Sequence, residues 1–167
     1  MANLILWRHA DAEVDSVTGK DADRALSKSG LKDADRMAKW LHKHLPDNTE
    51  ILCSPARRCL ETLAALQQLD EVDAQYEGKK YPVQIVNFLS VDSTAQMIVK
   101  NVANDDSSKT LLLIGHQPNL GRVIAKLLGM NEGACVFKKG AVWWLRQRLM
   151  FGQSQTCLLY TSPSPRD

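Results

Sequence analysis

Arg8-His9, Arg57-Arg58 and His116 each lie just beyond a short apolar run: Leu4-Ile5-Leu6-Trp7, Ile51-Leu52-Cys53 and Thr110-Leu-Leu-Leu-Ile114. Arginine offers forked N–H donors that match phosphate oxygens. Histidine offers a ring nitrogen as nucleophile, a proton or a donor. No contiguous run of acids accompanies them, so the set suits a dianionic phosphate group. On spacing alone it reads equally as a catalytic site and as an anion-binding pocket. Each piece also has a plain structural reading. His9 is then a surface residue at a strand end, Arg58 a solvated side chain on the first turn of a helix, and Gly115-His116 an ordinary strand-to-helix turn.

A parallel sheet is what would join them, because open α/β sheets gather their ligands at the carboxyl ends of the strands. The three apolar runs read as buried strands. Between them, Leu31, Ala34, Ala38, Leu41 and Leu45 step by three and four and mark a helical face, with Ser29 as its cap and Pro46-Asp47-Asn48 as its end. Ser54-Pro55 predicts a second helix entry with Pro55 at the first helical position, carrying Cys59, Leu60, Leu63, Leu66 and Leu69. Residues 11–27 and 70–82 read as connections, 83–89 as strand-like, 94–102 as a helix and 105–109 as a turn. Asn119 is expected to cap a helix over 120–128 closed by Gly129. Ala141–Leu145 is expected to form a last strand with at most one of Trp143 and Trp144 in the core. Strands alternating with helices predict a three-layer α/β/α domain with a mainly parallel central sheet. The domain is expected to span 1–149, and 150–167, with Thr161-Ser162-Pro163-Ser164-Pro165, is expected to be a disordered or non-native tail.

Composition narrows the partners. A formal charge of +2 on 167 residues gives no general attraction to nucleic acid or to a membrane surface. No stretch approaches the roughly 18 apolar residues of a membrane span. The N-terminus enters the first strand without a basic leader, and Cys53, Cys59, Cys135 and Cys157 show neither C-x-x-C nor zinc-ligand spacing. Four reduced, packed thiols in a cytoplasmic protein is the expectation, with no metal and no cofactor. His42 and His44, near the end of the first long helix, are expected to face solvent, and Lys138-Lys139 to be a solvated strand edge.

Four ordered segments make a specific resemblance. LILWRHA (4–10) resembles the RHG/RHA signature of the histidine phosphatase superfamily, the phosphoglycerate-mutase-like fold. SPARRCLET (54–62) is similar to its S-P-x-x-R-x-x-x-T segment, which selects Arg58 over Arg57. IGHQPNLG (114–121) resembles its second-histidine segment, and RALSKSG (24–30) its R-P-L-[ST]-x-x-G stretch. The short length, with no inserted cap region, is similar to SixA-type phosphohistidine phosphatases. The resemblance implies that His9 attacks phosphorus and is transiently phosphorylated, while Arg8, Arg58 and His116 hold the phosphoryl oxygens, without a metal. It implies that Arg24 and the backbone amide of Gln117 contribute substrate contacts. For Arg24, a loop-anchoring ion pair with Asp21 or Asp23 is the plain alternative.

The chain departs from the family pattern after the third strand, where Phe88 stands near the place of an acidic proton donor in larger members; Asp92 is near in sequence. A phosphohistidine leaving group demands less of an acid than an alkoxide does. The departure therefore favours N–P bonds, with a phosphorylated protein such as a phosphotransfer domain as partner. A phosphatase for a small phosphorylated metabolite is the second reading, and a non-catalytic phospho-binding module the third. The other departure, Ala10 for Gly, is expected to be tolerated.

Overall fold

The computed structural model describes residues 2–74, 81–103, 108–131, 133, 135–150 and 153–162. Apolar residues alternate along β1 (Asn3–Arg8) so that Leu4 and Leu6 enter one core and Ile5 and Trp7 the other. The same alternation divides Leu111 and Leu113 from Leu112 and Ile114 in β4 (Thr110–Gly115), a strand buried at every residue. A strand buried on both faces belongs in the middle of a layered domain. With β2 (Thr49–Cys53), β3 (Val83–Ile85), β5 (Val142–Met150) and β6 (Gln153–Ser162) they form one six-stranded sheet in the order β3-β2-β4-β1-β5-β6. The first four in that order run parallel, β5 is antiparallel to β1, and β6 is antiparallel to β5.

Helices cover both faces. On one lie α1 (Lys28–His44) and α2 (Arg57–Ala74), which contribute Met37, Ala38, Leu41, Cys59, Leu63 and Leu66. On the other lie α3 (Ala95–Val102) and α4 (Asn119–Leu128), with Ile98, Leu120, Val123 and Ile124. Short 3-10 turns at Asp21–Asp23 and Asn87–Leu89 complete the order. This is the expected three-layer α/β/α architecture. All four cysteines are free. Among the described residues no helix is long and apolar enough to cross a membrane.

Register decides what meets at the sheet edge. Arg8 pairs with Gly115 and Cys53 with Ile114, so β1, β4 and β2 end level. His9 N–H donates to Gly115 O at 3.1 Å and Ser54 N–H to Ile114 O at 3.0 Å, carrying the alignment one residue past each strand.

Several local expectations are corrected. Ser27, not Ser29, caps α1: its hydroxyl accepts from Gly30 N at 3.0 Å, while Ser29 already lies within the helix. Leu31 of the expected stripe is 52% exposed, because the first turn packs through Gly30 against the backbone of Asp11. Pro55 precedes α2 rather than opening it; the turn before Arg57 is made by the Ser54 hydroxyl, which accepts from Ala56 N. α2 also runs on to Ala74, into the expected 70–82 connection, of which 75–80 lie outside the described residues. The expected 105–109 turn is outside them as far as residue 107. Asn119 is the first residue of α4 and caps nothing; its amide donates to the carbonyls of Ser90 and Val91. Gly129 does close α4, at φ +68°. Trp143 and Trp144 both pack, one against each core, because helices cover both sides of the sheet. His42 does not simply face solvent: its Nδ1 lies 3.1 Å from the buried Asp70 carboxylate.

The tail is corrected too. Residues 153–162 pair with the whole length of β5, so the sheet passes the expected boundary at 149. A pairing partner at the sheet edge orders a segment that carries little periodicity of its own. Residues 163–167 lie outside the described residues.

Gly30 gives a direct test of the packing. A Cβ there would lie 2.0 Å from the Asp11 carbonyl oxygen. Alanine gains about 1 kcal/mol in helix propensity, yet backbone cannot give way as a flexible side chain does. Gly30→Ala is therefore expected to destabilise the fold by about 1–3 kcal/mol net, read by denaturant unfolding; a variant as stable as wild type would contradict the contact.

Candidate active site

The level strand ends form one wall of a cavity of about 240 Å³ lined by Arg8, His9, Arg58, His116, Arg24 and Gln117, with Ala12, Asp21, Val91 and Lys139. All six residues singled out from the sequence thus reach one place. Four cationic side chains and one carboxylate line it, so its local field is positive although the chain is nearly neutral.

His9 is 7% exposed, and its Nδ1 lies 2.7 Å from the carbonyl oxygen of Ala10. A carbonyl only accepts, so Nδ1 carries the hydrogen and Nε2 keeps the lone pair. Arg58 Nε–H donates to that Nε2 at 3.3 Å. Burial pushes the His9 imidazolium down most; the Ala10 bond opposes it, and His116, Arg58 and Arg8 push further, to about 3. His9 is therefore neutral near pH 7.

His116 faces it, with ring centroids 5.2 Å apart and planes tilted by 59°. Its Nδ1 lies 3.4 Å from Arg58 Nη2 and its Nε2 2.8 Å from Ser54 Oγ. Burial, then Arg58, lowers its pKa; Asp21 opposes, Arg8 and Arg24 add, and it falls to about 4. Arg8 Nη1 donates to Phe137 O at 2.6 Å, and its Nε–H is buried without a partner. Burial, then Arg58, lowers the Arg8 pKa.

Thr62 and Ser54, motif residues without an assigned role, prove to be struts. Thr62 Oγ1 accepts from Ala10 N and donates to Arg58 O, tying the segment after β1 to α2. Ser54 Oγ ties the start of α2 to His116. Gln117 points its side chain away, accepting from Gly121 N and donating to Cys135 O. Arg24 makes the expected ion pair with Asp21, at 2.9 Å, and also donates to Glu13 O.

Ala12, Asp21, Val91 and Lys139 were missed as lining residues. Lys139 is brought in by Gly140, whose N–H reaches the carbonyls of Arg8 and His9, and its Nζ meets Asp11 Oδ1 at 2.8 Å. Its neighbourhood to Arg8-His9 depends on a contact across some 130 residues, which leaves no local signal. Asp92 is exposed and is not part of the cavity wall, where its neighbour Val91 stands. Among the described residues no three His, Cys, Asp or Glu cluster to hold a metal ion.

The depressed pKa values have a consequence for stability. An unfolded chain takes up a proton on each histidine near pH 6.5, whereas the folded chain leaves His9 and His116 neutral down to about 3 and about 4. Below about pH 6.5 the unfolded state binds more protons, so stability present above that pH falls with acidification until the folded values are passed. Unfolding midpoints are expected to drop from about pH 7 to about pH 4. The His9 ring resonances should not titrate between about pH 5 and 8; a His9 midpoint near 6.5 would overturn the assignment of burial and tautomer.

Residues 4–79 match the histidine phosphatase superfamily (branch 1). A Haemophilus influenzae protein described as a phosphohistidine phosphatase SixA homolog is 29% identical over 137 residues, which cover 78% of this chain and 79% of that one. Among solved structures, the protein histidine phosphatase SixA complexed with tungstate matches at a TM-score of 0.78 and 20% identity, over 98% of this chain and 97% of that one. A mycobacterial glucosyl-3-phosphoglycerate phosphatase matches at 0.72 and 14%, over 98% and 100%. These two structural matches establish a shared fold.

Proposed function

Since this chain belongs to the histidine phosphatase superfamily, we propose that it is a phosphohistidine phosphatase, hydrolysing the N–P bond of phosphohistidine on a protein through a phosphorylated His9. The observation that carries this reading is the lone-pair Nε2 of a buried, neutral His9 set against Arg58 and His116 inside a cationic cavity.

In the first half-reaction His9 Nε2 attacks phosphorus, the bond from phosphorus to the substrate imidazole breaks, and that imidazole leaves with the electron pair and takes a proton. Nδ1–H keeps its bond to Ala10 O, which spreads the charge arising on the ring. In the second, water attacks phosphorus, the bond to His9 breaks, and inorganic phosphate departs. Arg8, Arg58 and His116 stabilise the equatorial oxygens in both steps; Arg24 and the Gln117 amide stand at the mouth. Phosphoryl transfer asks a protein mainly for alignment and charge stabilisation, and these groups provide both without a metal ion.

The choice of N–P bond rests on Val91. An apolar side chain, held by Asn119 through the carbonyls of Ser90 and Val91, lines the same cavity as His9, and Asp92 lies outside. Asp21, the carboxyl group among the described lining residues, is held as an anion by Arg58 and Arg24 and has no proton to give, so an alkoxide leaving group would go unprotonated, whereas imidazole is a good leaving group once it meets a proton from solvent. The similarity to a protein described as a phosphohistidine phosphatase homolog supports the same choice.

The test is turnover of a histidine-phosphorylated phosphotransfer domain against sugar, glycerate and nucleotide monophosphates, with and without EDTA. Preference for the phosphoprotein by about a hundredfold or more in kcat/KM, unchanged by chelation, is expected. A higher kcat/KM on a small monoester would establish the second reading, and loss of activity in EDTA would overturn metal independence.

A further inference from the structure

A guanidinium has two hydrogen-bonding edges, and those of Arg58 face different partners. The Nε and Nη2 edge meets His9 Nε2 at 3.3 Å and His116 Nδ1 at 3.4 Å, the place where a phosphoryl group must sit to be attacked by His9. The Nη1 and Nη2 edge is taken by a single residue: Nη1 donates to the Asp21 carbonyl oxygen at 2.9 Å and Nη2 to Asp21 Oδ2 at 3.0 Å. Asp21 is itself braced, since its Oδ1 accepts from Arg24 Nε at 2.9 Å and Arg24 Nη1 donates to Glu13 O. Burial of the Asp21 carboxyl would raise its pKa, but Arg58 and Arg24 more than offset this, so it stays an anion and a pure acceptor.

We propose that Asp21 is a positioning residue: it clamps the outer edge of Arg58, so that the inner edge is presented to the phosphoryl group in the transition state. The proposal rests on the phosphatase reading above and adds to it. The pair joins an Arg58 side chain that is only 3% exposed to an Asp21 side chain that is 53% exposed, so solvent screens part of its attraction. Its value is geometric, because two donors on one rigid fork are fixed by two acceptors of one residue. Asp21 does not compete for the phosphoryl group, since the edge it holds is not the edge facing His9. Arg24, expected to touch substrate, acts here one step back, by holding Asp21.

The alternative, an internal anion that substrate must displace, makes the opposite kinetic prediction. Phosphoramidate serves as the N–P probe, with tungstate as an inhibitor. If Asp21 positions Arg58, Asp21→Ala lowers kcat about tenfold or more and weakens tungstate inhibition, while KM changes by less than about threefold. Asp21→Asn, which keeps an acceptor for Nη2 and the backbone carbonyl, recovers most of kcat. In an Arg58→Ala background Asp21→Ala adds less than a further twofold loss, as two residues acting as one unit require. A lower KM with unchanged or higher kcat would overturn the proposal in favour of competition, and a full tenfold loss in the Arg58→Ala background would overturn it in favour of another role. The Arg58 guanidinium resonances provide a readout free of turnover. The Nη1–H protons, which Asp21 binds, report the clamp directly: they should be slow to exchange in wild type and fast in Asp21→Ala, and equal exchange in both would overturn the clamp even if the phosphatase reading stands. A wild-type protein without turnover but with that loss of protection would instead sink the phosphatase reading and leave the clamp.

Discussion

His9→Ala is expected to abolish turnover, by about 10⁴-fold or more, while leaving the fold intact. The nucleophile cannot be replaced from nearby. His116 is held at both nitrogens, by Ser54 and Arg58, and its Nε2 is turned into the protein. Structural loss should be small, because the His9 side chain makes one bond to a neighbouring carbonyl and one weak contact with Arg58, and its burial disfavours the charged form in any case. Two measurements check this together. Labelling with a phosphorylated substrate, quenched in alkaline denaturant, should leave a base-stable, acid-labile phosphate on wild type and none on the variant, and their denaturation curves should nearly coincide. Activity of the variant within tenfold of wild type, or label mapped to any other residue, would remove His9 from the centre of the mechanism.

Arg58→Ala is the second large effect, expected at about 10²–10³-fold in kcat, or roughly 3–4 kcal/mol of transition-state stabilisation. Arg58 touches both imidazoles and is the only described cation that does so. Its loss removes a charge-assisted pair of donors from a site where little water competes. Arg58→Lys should recover only a small part, since an ammonium is a point charge and cannot present one edge to the phosphoryl group and another to Asp21. KM should move much less than kcat, because the charge that Arg58 meets is greatest in transit. Equal losses in kcat for Arg57→Ala and Arg58→Ala would contradict the geometry: Arg57 is half exposed and pairs with Glu61, one turn along α2. Arg8→Ala stands apart from both predictions, because Arg8 also holds the Phe137 carbonyl and its loss mixes catalytic with structural effects.

Read from the residues alone, Arg8-His9, Arg57-Arg58 and His116 are identifiable because their types are demanding, and it is the resemblance of residues 54–62 that selects Arg58 over Arg57. A phosphoryl group needs forked donors and a nucleophilic nitrogen, and these stand at the ends of apolar runs short enough to be buried strands. The layered architecture is legible for a similar reason: apolar runs and helical stripes are periodic, and periodicity is a local property. Local competition was harder to read. Ser27 and Ser29 are both suitable caps, and the choice fell to Ser27 because Gly30 docks on Asp11, a contact between α1 and the segment after β1. Trp143 and Trp144 alternate as expected, yet whether one or both are packed depends on how many layers the sheet separates, which a single strand does not state.

What remains was decided by tertiary structure. The strand ends coincide because β1 and β2 both register on β4 at Gly115 and Ile114, and backbone pairing of that kind carries no side-chain signature. Lys139 reaches the cavity through Gly140, Val91 is held by Asn119, and Asp21 meets Arg58 from a 3-10 turn more than thirty residues away. Each of these comes from a loop, where the spacing of residues does not fix direction and only long-range hydrogen bonds aim the side chain. The amino-acid order thus carried the chemistry of the site, since that is set by residue type. The edge Arg58 presents came from contacts with Asp21, His9 and His116 that exist only once distant segments have folded together, whereas the nitrogen His9 leaves free is set by its bond to the adjacent Ala10 carbonyl.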